Sequence, residues 1–306
     1  MRILIAGGGG QLGREITRIL RAGPGRFAIP QEYGRCSAVS AGRGELDIAD
    51  GGAVGAYLKK GGFDLIFNCA AMTDVDGCEA KPMRALRINA IGACNLAMAV
   101  EEHGGKLVHL STDYVFDGKK NIPYREEDPC SPQCVYGKTK RLGELFVRQE
   151  CPRSFVVRTA WLYGREGSNF VRSILRNAKA GKPLRVVSDQ RGCPTNAGDL
   201  ACQLLRLALT EEYGLYHCTG SGACTWAEFA AAILEENGTG GEIIPISTEQ
   251  SGRAAARPAY SVLDNSRLTG VLGTEVRPWR EALHSFFEEE KEGEDGKLSI
   301  LGSGHS

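Results

Sequence analysis

A chain of 306 residues with 37 basic and 37 acidic side chains, and so a formal charge of zero, can bury a sizeable core. It presents no electrostatic footprint for wrapping nucleic acid or docking on an anionic membrane, which leaves a small molecule as the expected partner. No run approaches the ~20 apolar residues of a membrane span, and the first ten residues turn to glycine too early for a secretory signal, so the expected location is the cytoplasm.

Taken in chain order, short β-rich runs at 2–6, 38–40, 65–70, 106–111, 155–159 and 184–187 read as strands. Between them Leu12, Ile16, Ile19 and Leu20 recur at helical spacing, as do Leu86, Ala90, Ala93 and Ala97 and the segment 136–148. That alternation predicts an α/β fold with a doubly wound parallel sheet. After residue 160 the chain becomes richer in turns, with a further helix at 225–236 for which Thr225 is the expected N-cap. We therefore expect a dinucleotide-binding domain over 1–160 with later segments returning to it, a smaller C-terminal substrate-binding lobe mainly over 161–290, and a flexible tail at 291–306.

The eleven cysteines are scattered, some within apolar runs (Cys69, Cys218), and read as reduced thiols. Cys130 and Cys134 form a C-x3-C pair without the two further ligands a zinc site needs, so no metal is expected. In a cytoplasmic protein the Asn237-Gly238-Thr239 sequon is chemically idle.

The first strand runs directly into Gly7-Gly8-Gly9-Gly10-Gln11-Leu12-Gly13 and a helix. Glycines at this junction permit φ > 0 and close approach of backbone N–H groups to a pyrophosphate at the helix N-terminus, the fingerprint of a Rossmann-type sheet. Gly7, Gly10, Gln11, Leu12 and Gly13 are the candidate coenzyme contacts; G-x-G-x-x-G also fits from Gly8, so the register stays open. The second strand ends in Ser40-Ala41-Gly42-Arg43, without the carboxylate that would hold the 2′-OH of NAD. Arg43 could meet the 2′-phosphate of NADPH, although a solvated loop charge explains it equally well, so NADPH or NADH is expected with a lean to NADPH. Asp47 and Ile48 could meet the adenine edge.

Tyr136 and Lys140 form Y-x-x-x-K at the start of a helical segment, which places both on one helix face. Reducing a ketone needs a proton for the developing alkoxide, and a tyrosine beside an ammonium can give one. The strand at 106–111 ends in Ser111-Thr112-Asp113, so Thr112 offers a hydroxyl at the strand end that faces the ligand crevice.

With these motifs on the page, the chain resembles the extended short-chain dehydrogenase/reductase family, and within it the dTDP-4-dehydrorhamnose reductases. The blocks that carry the likeness are 68–76 (NCAAMTDVD), 111–118 (STDYVFDG), 135–140, 158–164 (RTAWLYG), 169–171, 189–195 (DQRGCPT) and Arg257-Pro258. The resemblance implies that Thr112, Tyr136 and Lys140 are the catalytic set, with Tyr136 giving the proton as hydride passes from NADPH or NADH to the C4 ketone of a nucleotide-sugar. It implies Cys69, Ala70, Ala71 and Thr73 as further coenzyme neighbours. Asp113, Tyr114 and Trp161 would line the sugar pocket, and Asn169, Phe170 and Arg257 would lie near the nucleotide-sugar; Tyr114 and Trp161 also read as ordinary core aromatics. Two departures stand out: Cys69 and Met72 replace the alanine and the tyrosine or histidine expected on the nicotinamide side. Glu15 matches a position associated in some relatives with a magnesium-bridged dimer, but lacks convincing acidic partners; a homodimer is left open. A non-catalytic regulatory subunit, or a reductase or epimerase of another sugar nucleotide, are the competing readings. The acidic pair that a dehydratase would favour after Thr112 is absent, since Asp113 is followed by Tyr114.

Overall fold

In the computed structural model, which describes the backbone of residues 1–302 and the side chains of residues 1–291, six parallel strands form the central sheet. They are β1 (Arg2–Ala6), β2 (Ser37–Ala41), β3 (Leu65–Asn68), β4 (Lys106–Thr112), β5 (Ser154–Thr159) and the later strand Gly214–His217. Side by side they run Gly214–His217, β5, β4, β3, β1, β2. Of the flexible tail expected over 291–306, the backbone as far as residue 302 continues the helix Trp279–Gly302, and residues 303–306 lie outside the described residues.

The strands read as continuous apolar runs because helices cover both faces. On one face Ile3, Ile5, Phe67, Val108 and Phe155 pack with Ile16 and Ile19 of α1 (Gln11–Ala22) and with residues Leu200 and Leu204. On the other, Leu4, Ile66, Leu107 and Val156 pack with Val54 of α2 (Gly51–Gly61), then, past the short helices α3 (Val75–Ala80) and α4 (Pro82–Leu86), with Leu96 and Val100 of α5 (Gly92–His103) and Val147 of α6 (Val135–Glu150). Strand order reverses at β1, flanked by β2 and β3, so the crevice that such a sheet reserves for ligands opens at the carboxyl ends of β1 and β3.

One strand corrects the sequence reading. Leu184–Val187 forms, but pairs in parallel with Ile243–Ile246 in a separate two-stranded sheet, and Gly214–His217, which was not anticipated, supplies the sixth strand of the main sheet. Periodicity detects a strand without naming its neighbour. Leu184 and Val186 instead join a third apolar cluster with Val171 and Leu175 of α7 (Phe170–Lys179), Phe229 and Ile233 of the helix Trp226–Asn237, and Phe286. The helix Trp226–Asn237 begins as predicted: the Thr225 hydroxyl accepts from Glu228 N, and the Glu228 carboxylate accepts from Thr225 N, a complete capping box.

Candidate active site

The glycine run makes a floor of bare backbone. Gly7 has φ +77°, and a Cβ there would lie 2.5 Å from Ala70 N. At Gly13 a Cβ would lie 2.7 Å from Gly7 O and from Gly8 Cα, so α1 is pressed against the turn that feeds it. Gly9, by contrast, has open space. The N-cap of α1, Gly10, supplies no side-chain acceptor for the first-turn N–H groups, which leaves that helix end able to receive an anion. Beside it lies a cleft of about 360 Å³ whose walls include Gly7, Gly10, Arg43, Asp47, Ile48, Cys69, Ala70 and Ala71. Eight of the expected coenzyme neighbours thus converge on one crevice, together with Met72, Leu46 and Ile88. Thr73 is exposed outside these walls, the Leu12 side chain is in the core, and the Gln11 amide turns to Asn169.

At the carboxyl end of β4 the Thr112 hydroxyl donates to Asp113 Oδ1 at 2.9 Å and accepts from Tyr114 N at 3.3 Å. The first turn of α6 rests directly on this segment, because Gly137 has no side chain: a Cβ there would lie 2.1 Å from Tyr114 O. Cys134 N-caps α6 through its sulfur, 3.5 Å from Gly137 N, and Glu79 Oε1 accepts from Val135 N at 2.7 Å. The C-x3-C pair is therefore a helix cap and a loop residue, Cys130 lying 3.1 Å from Arg158 Nη2.

Tyr136 and Lys140 are buried, and Tyr136 meets the ring of Tyr114 edge to face at 5.5 Å. Burial pushes the Tyr136 phenol above its usual range, while the Thr112 hydroxyl beside it pulls the other way. The resting side chain is a neutral acid. Burial also draws the Lys140 ammonium down to about 8, opposed in part by Glu144 and Cys69. Its Nζ donates to the carbonyl of Leu110. Asp113, also buried, is raised to about 6 by desolvation.

On the far side of Tyr114 a second cleft, about 600 Å³, is lined by Phe170, Ile174 and Trp226 and by the cations Arg185, Arg253 and Arg257. Of the residues expected near a nucleotide-sugar, Phe170 and Arg257 both line this cleft. Trp161 lies behind this wall, stacked on Trp226 with centroids 3.5 Å and planes 7° apart, at an unusual φ of +45°. Asn169 is fully engaged: its Oδ1 caps α7 through Arg172 N at 3.1 Å, and its Nδ2 donates to Gln11 Oε1 at 3.0 Å and Gly164 O at 2.8 Å. Its side chain joins the first residue of α1 to the start of α7, and it is not among the residues lining the second cleft. Trp226, Arg185 and Arg253 were missed by sequence reasoning. The sole signal for Arg185 is that it is the exposed residue in an otherwise apolar strand.

Glu15 is buried and ion-paired with Arg18, and among the described residues no group of three or more His, Cys, Asp or Glu side chains could hold a metal ion.

Residues 1–292 match the family described as RmlD substrate binding domain. The chain is 42% identical to the spore coat polysaccharide biosynthesis protein SpsK of Bacillus subtilis, over 94% of this chain and 97% of that one. It is 40% identical to a dTDP-4-dehydrorhamnose reductase of Streptomyces griseus, over 94% and 93%. The crystal structure of the dTDP-4-dehydrorhamnose reductase of Bacillus anthracis in complex with NADP superposes with a TM-score of 0.87 at 37% identity, covering 94% of this chain and 99% of that one.

Proposed function

We propose, because the chain belongs to the RmlD substrate binding domain family, that it reduces the C4 ketone of dTDP-4-dehydro-L-rhamnose to dTDP-L-rhamnose, using NADPH, for cell-surface polysaccharide synthesis. What supports this reading is that Tyr136 meets Tyr114, which lines the aromatic cleft with its cationic rim, while Lys140 neighbours Cys69, which lines the glycine-floored crevice.

A dinucleotide fits the crevice, since its pyrophosphate needs bare backbone and an uncapped helix end, and Gly10 at the N-cap of α1 supplies both. The chemistry this coenzyme supplies is hydride for the carbonyl carbon. Thr112, whose single O–H rests on Asp113 Oδ1, would turn that donor to the carbonyl oxygen once the ketone is bound. Tyr136, neutral at rest, gives its proton to the oxygen as negative charge develops there, and the Lys140 ammonium one turn along favours the phenolate left behind. Asp113 and Tyr114 border the sugar, and the rim arginines face the diphosphate, for which forked guanidinium donors are suited.

NADPH is preferred over NADH in this reading. β2 ends without a carboxylate, and the Arg43 side chain is 64% exposed and held by Asp47 only at 3.6 Å, which leaves it free for a 2′-phosphate. A homodimer accords with Met98, Leu142 and Leu145, exposed apolar side chains on the mutually packed α5 and α6. No helix among the described residues is long and apolar enough to cross a membrane, and eleven free cysteines accord with the cytoplasm.

The test is loss of the reduced-nicotinamide absorbance when the protein meets NADPH and dTDP-4-dehydro-L-rhamnose, with dTDP-L-rhamnose identified as the product. NADPH binding without turnover of this ketone would move the assignment to a different sugar nucleotide.

A further inference from the structure

Asp76, on α3, lies outside both clefts yet takes four donors from one short loop almost 180 residues away. Its Oδ1 accepts from Ala255 N at 3.0 Å and Arg257 Nη1 at 3.2 Å. Its Oδ2 accepts from Arg257 Nη2 at 2.9 Å and Arg253 Nη1 at 3.3 Å. Both arginines line the second cleft beside Tyr114, so the carboxylate grips them from behind. A guanidinium carries five N–H donors. Arg257 spends two on Asp76 and one on Ala255 O at 2.9 Å, so two are left over in a residue that lines the cleft.

We infer that Asp76 is a positioning residue for substrate: it pre-orders Arg257 and Arg253 so that their remaining donors meet the diphosphate of the nucleotide-sugar. This rests on the reading of the second cleft as the nucleotide-sugar site. A long arginine side chain loses much rotamer freedom on binding an anion, and a partner that fixes it beforehand removes part of that cost. The arginines hold the Asp76 carboxyl down to about 2, so the grip is fully charged throughout the neutral range. The same helix carries Glu79, which fastens Val135 N at the head of α6, so the loop of Arg253 and Arg257 and the helix of Tyr136 share one anchor.

The experiment is a double-mutant cycle with Asp76→Asn and Arg257→Ala, read by calorimetric titration with dTDP and by steady-state kinetics on the full chain, with NADPH affinity measured on every variant. Asparagine keeps the size but removes the charge and sets an N–H group against the guanidinium. The expected result is a roughly tenfold weaker dTDP affinity and a roughly tenfold higher KM for the sugar nucleotide in Asp76→Asn, with kcat within about twofold and NADPH affinity unchanged. Adding Asp76→Asn to Arg257→Ala should weaken dTDP far less than it does in the parent chain, because the residue it acts through is gone. Full additivity, or unchanged dTDP affinity in Asp76→Asn while Arg257→Ala weakens it, overturns the inference and leaves the site reading intact. Unchanged dTDP affinity in Arg257→Ala overturns the site reading and the inference with it. Lost NADPH affinity in Asp76→Asn overturns the inference, since it assigns Asp76 to the scaffold at large.

Discussion

Lys140 and Glu144 lie one turn apart on α6 and fasten it to consecutive residues of β4. The Lys140 ammonium donates to the carbonyl of Leu110, and the Glu144 carboxylate accepts from the Ser111 hydroxyl at 2.6 Å. Arg158, opposite Ser111 on β5, donates to the same carboxylate through Nε and Nη2 at 2.8 Å each, and Arg141 adds a bond at 2.7 Å. Since Thr112 follows Ser111, the register that sets Tyr136 beside Thr112 is fixed from behind by a buried ion pair.

Removing either partner of that pair should be strongly destabilising. Breaking a buried, hydrogen-bonded pair by removing one partner costs about 3–5 kcal/mol, because the other charge is left in the core. Arg158→Met should therefore lower the unfolding free energy by about that much, measured by urea denaturation. Glu144→Gln should fall in the same range. A loss of under about 1 kcal/mol in both would show that water or local repacking relieves the orphaned charge.

Replacing Tyr136 by Phe removes the proton donor and leaves the ring. Turnover should fall roughly 10²–10⁴-fold while NADPH affinity stays near that of the parent chain. Stopped-flow mixing with NADPH separates the two quantities, and undiminished turnover would remove Tyr136 from the mechanism.

Lys140 sets the alkaline limb of the pH profile. Burial lowers its ammonium to about 8, so the positive charge is present below that pH and lost above it. Hence kcat/KM should be level through neutrality and drop about tenfold per unit at pH values above about 8. Lys140→Met should be slower at every pH and lack this limb; a limb that persists in the variant belongs to another group.

Two neighbouring glycines should respond differently to alanine. Gly7→Ala places a methyl 2.5 Å from Ala70 N at φ +77° and should abolish measurable NADPH binding, with the melting temperature falling as well. Gly9→Ala meets no protein atom within 4 Å but points its methyl from the wall of the crevice, so it should weaken NADPH binding while leaving the melting temperature near that of the parent chain. Thermal denaturation together with fluorescence titration of NADPH on both variants checks the contrast.

The sequence by itself determined whatever is local. A strand that runs into Gly7, Gly10 and Gly13 before a helix specifies a backbone floor, because only glycine tolerates φ +77° against Ala70. Tyr136 and Lys140 share a face because positions four apart on a helix do, and Thr225 with Glu228, three positions on, is a capping box. Only the tertiary structure decided what depends on contacts across the chain. Leu184–Val187 has a strand's composition, but its sheet was set by Ile243–Ile246, which lies far along the chain. Gly214–His217 has only Leu215 and Tyr216 between a glycine and a histidine, so its composition does not mark a strand, and it is held by its register with β5. Arg185, Trp226 and Arg253 entered one cleft from three separate segments, and Asp76 found Arg257 across 181 positions. Periodicity encodes which side of an element is buried; it carries no information about which distant element buries it, and the second cleft is built almost entirely from that second kind of choice.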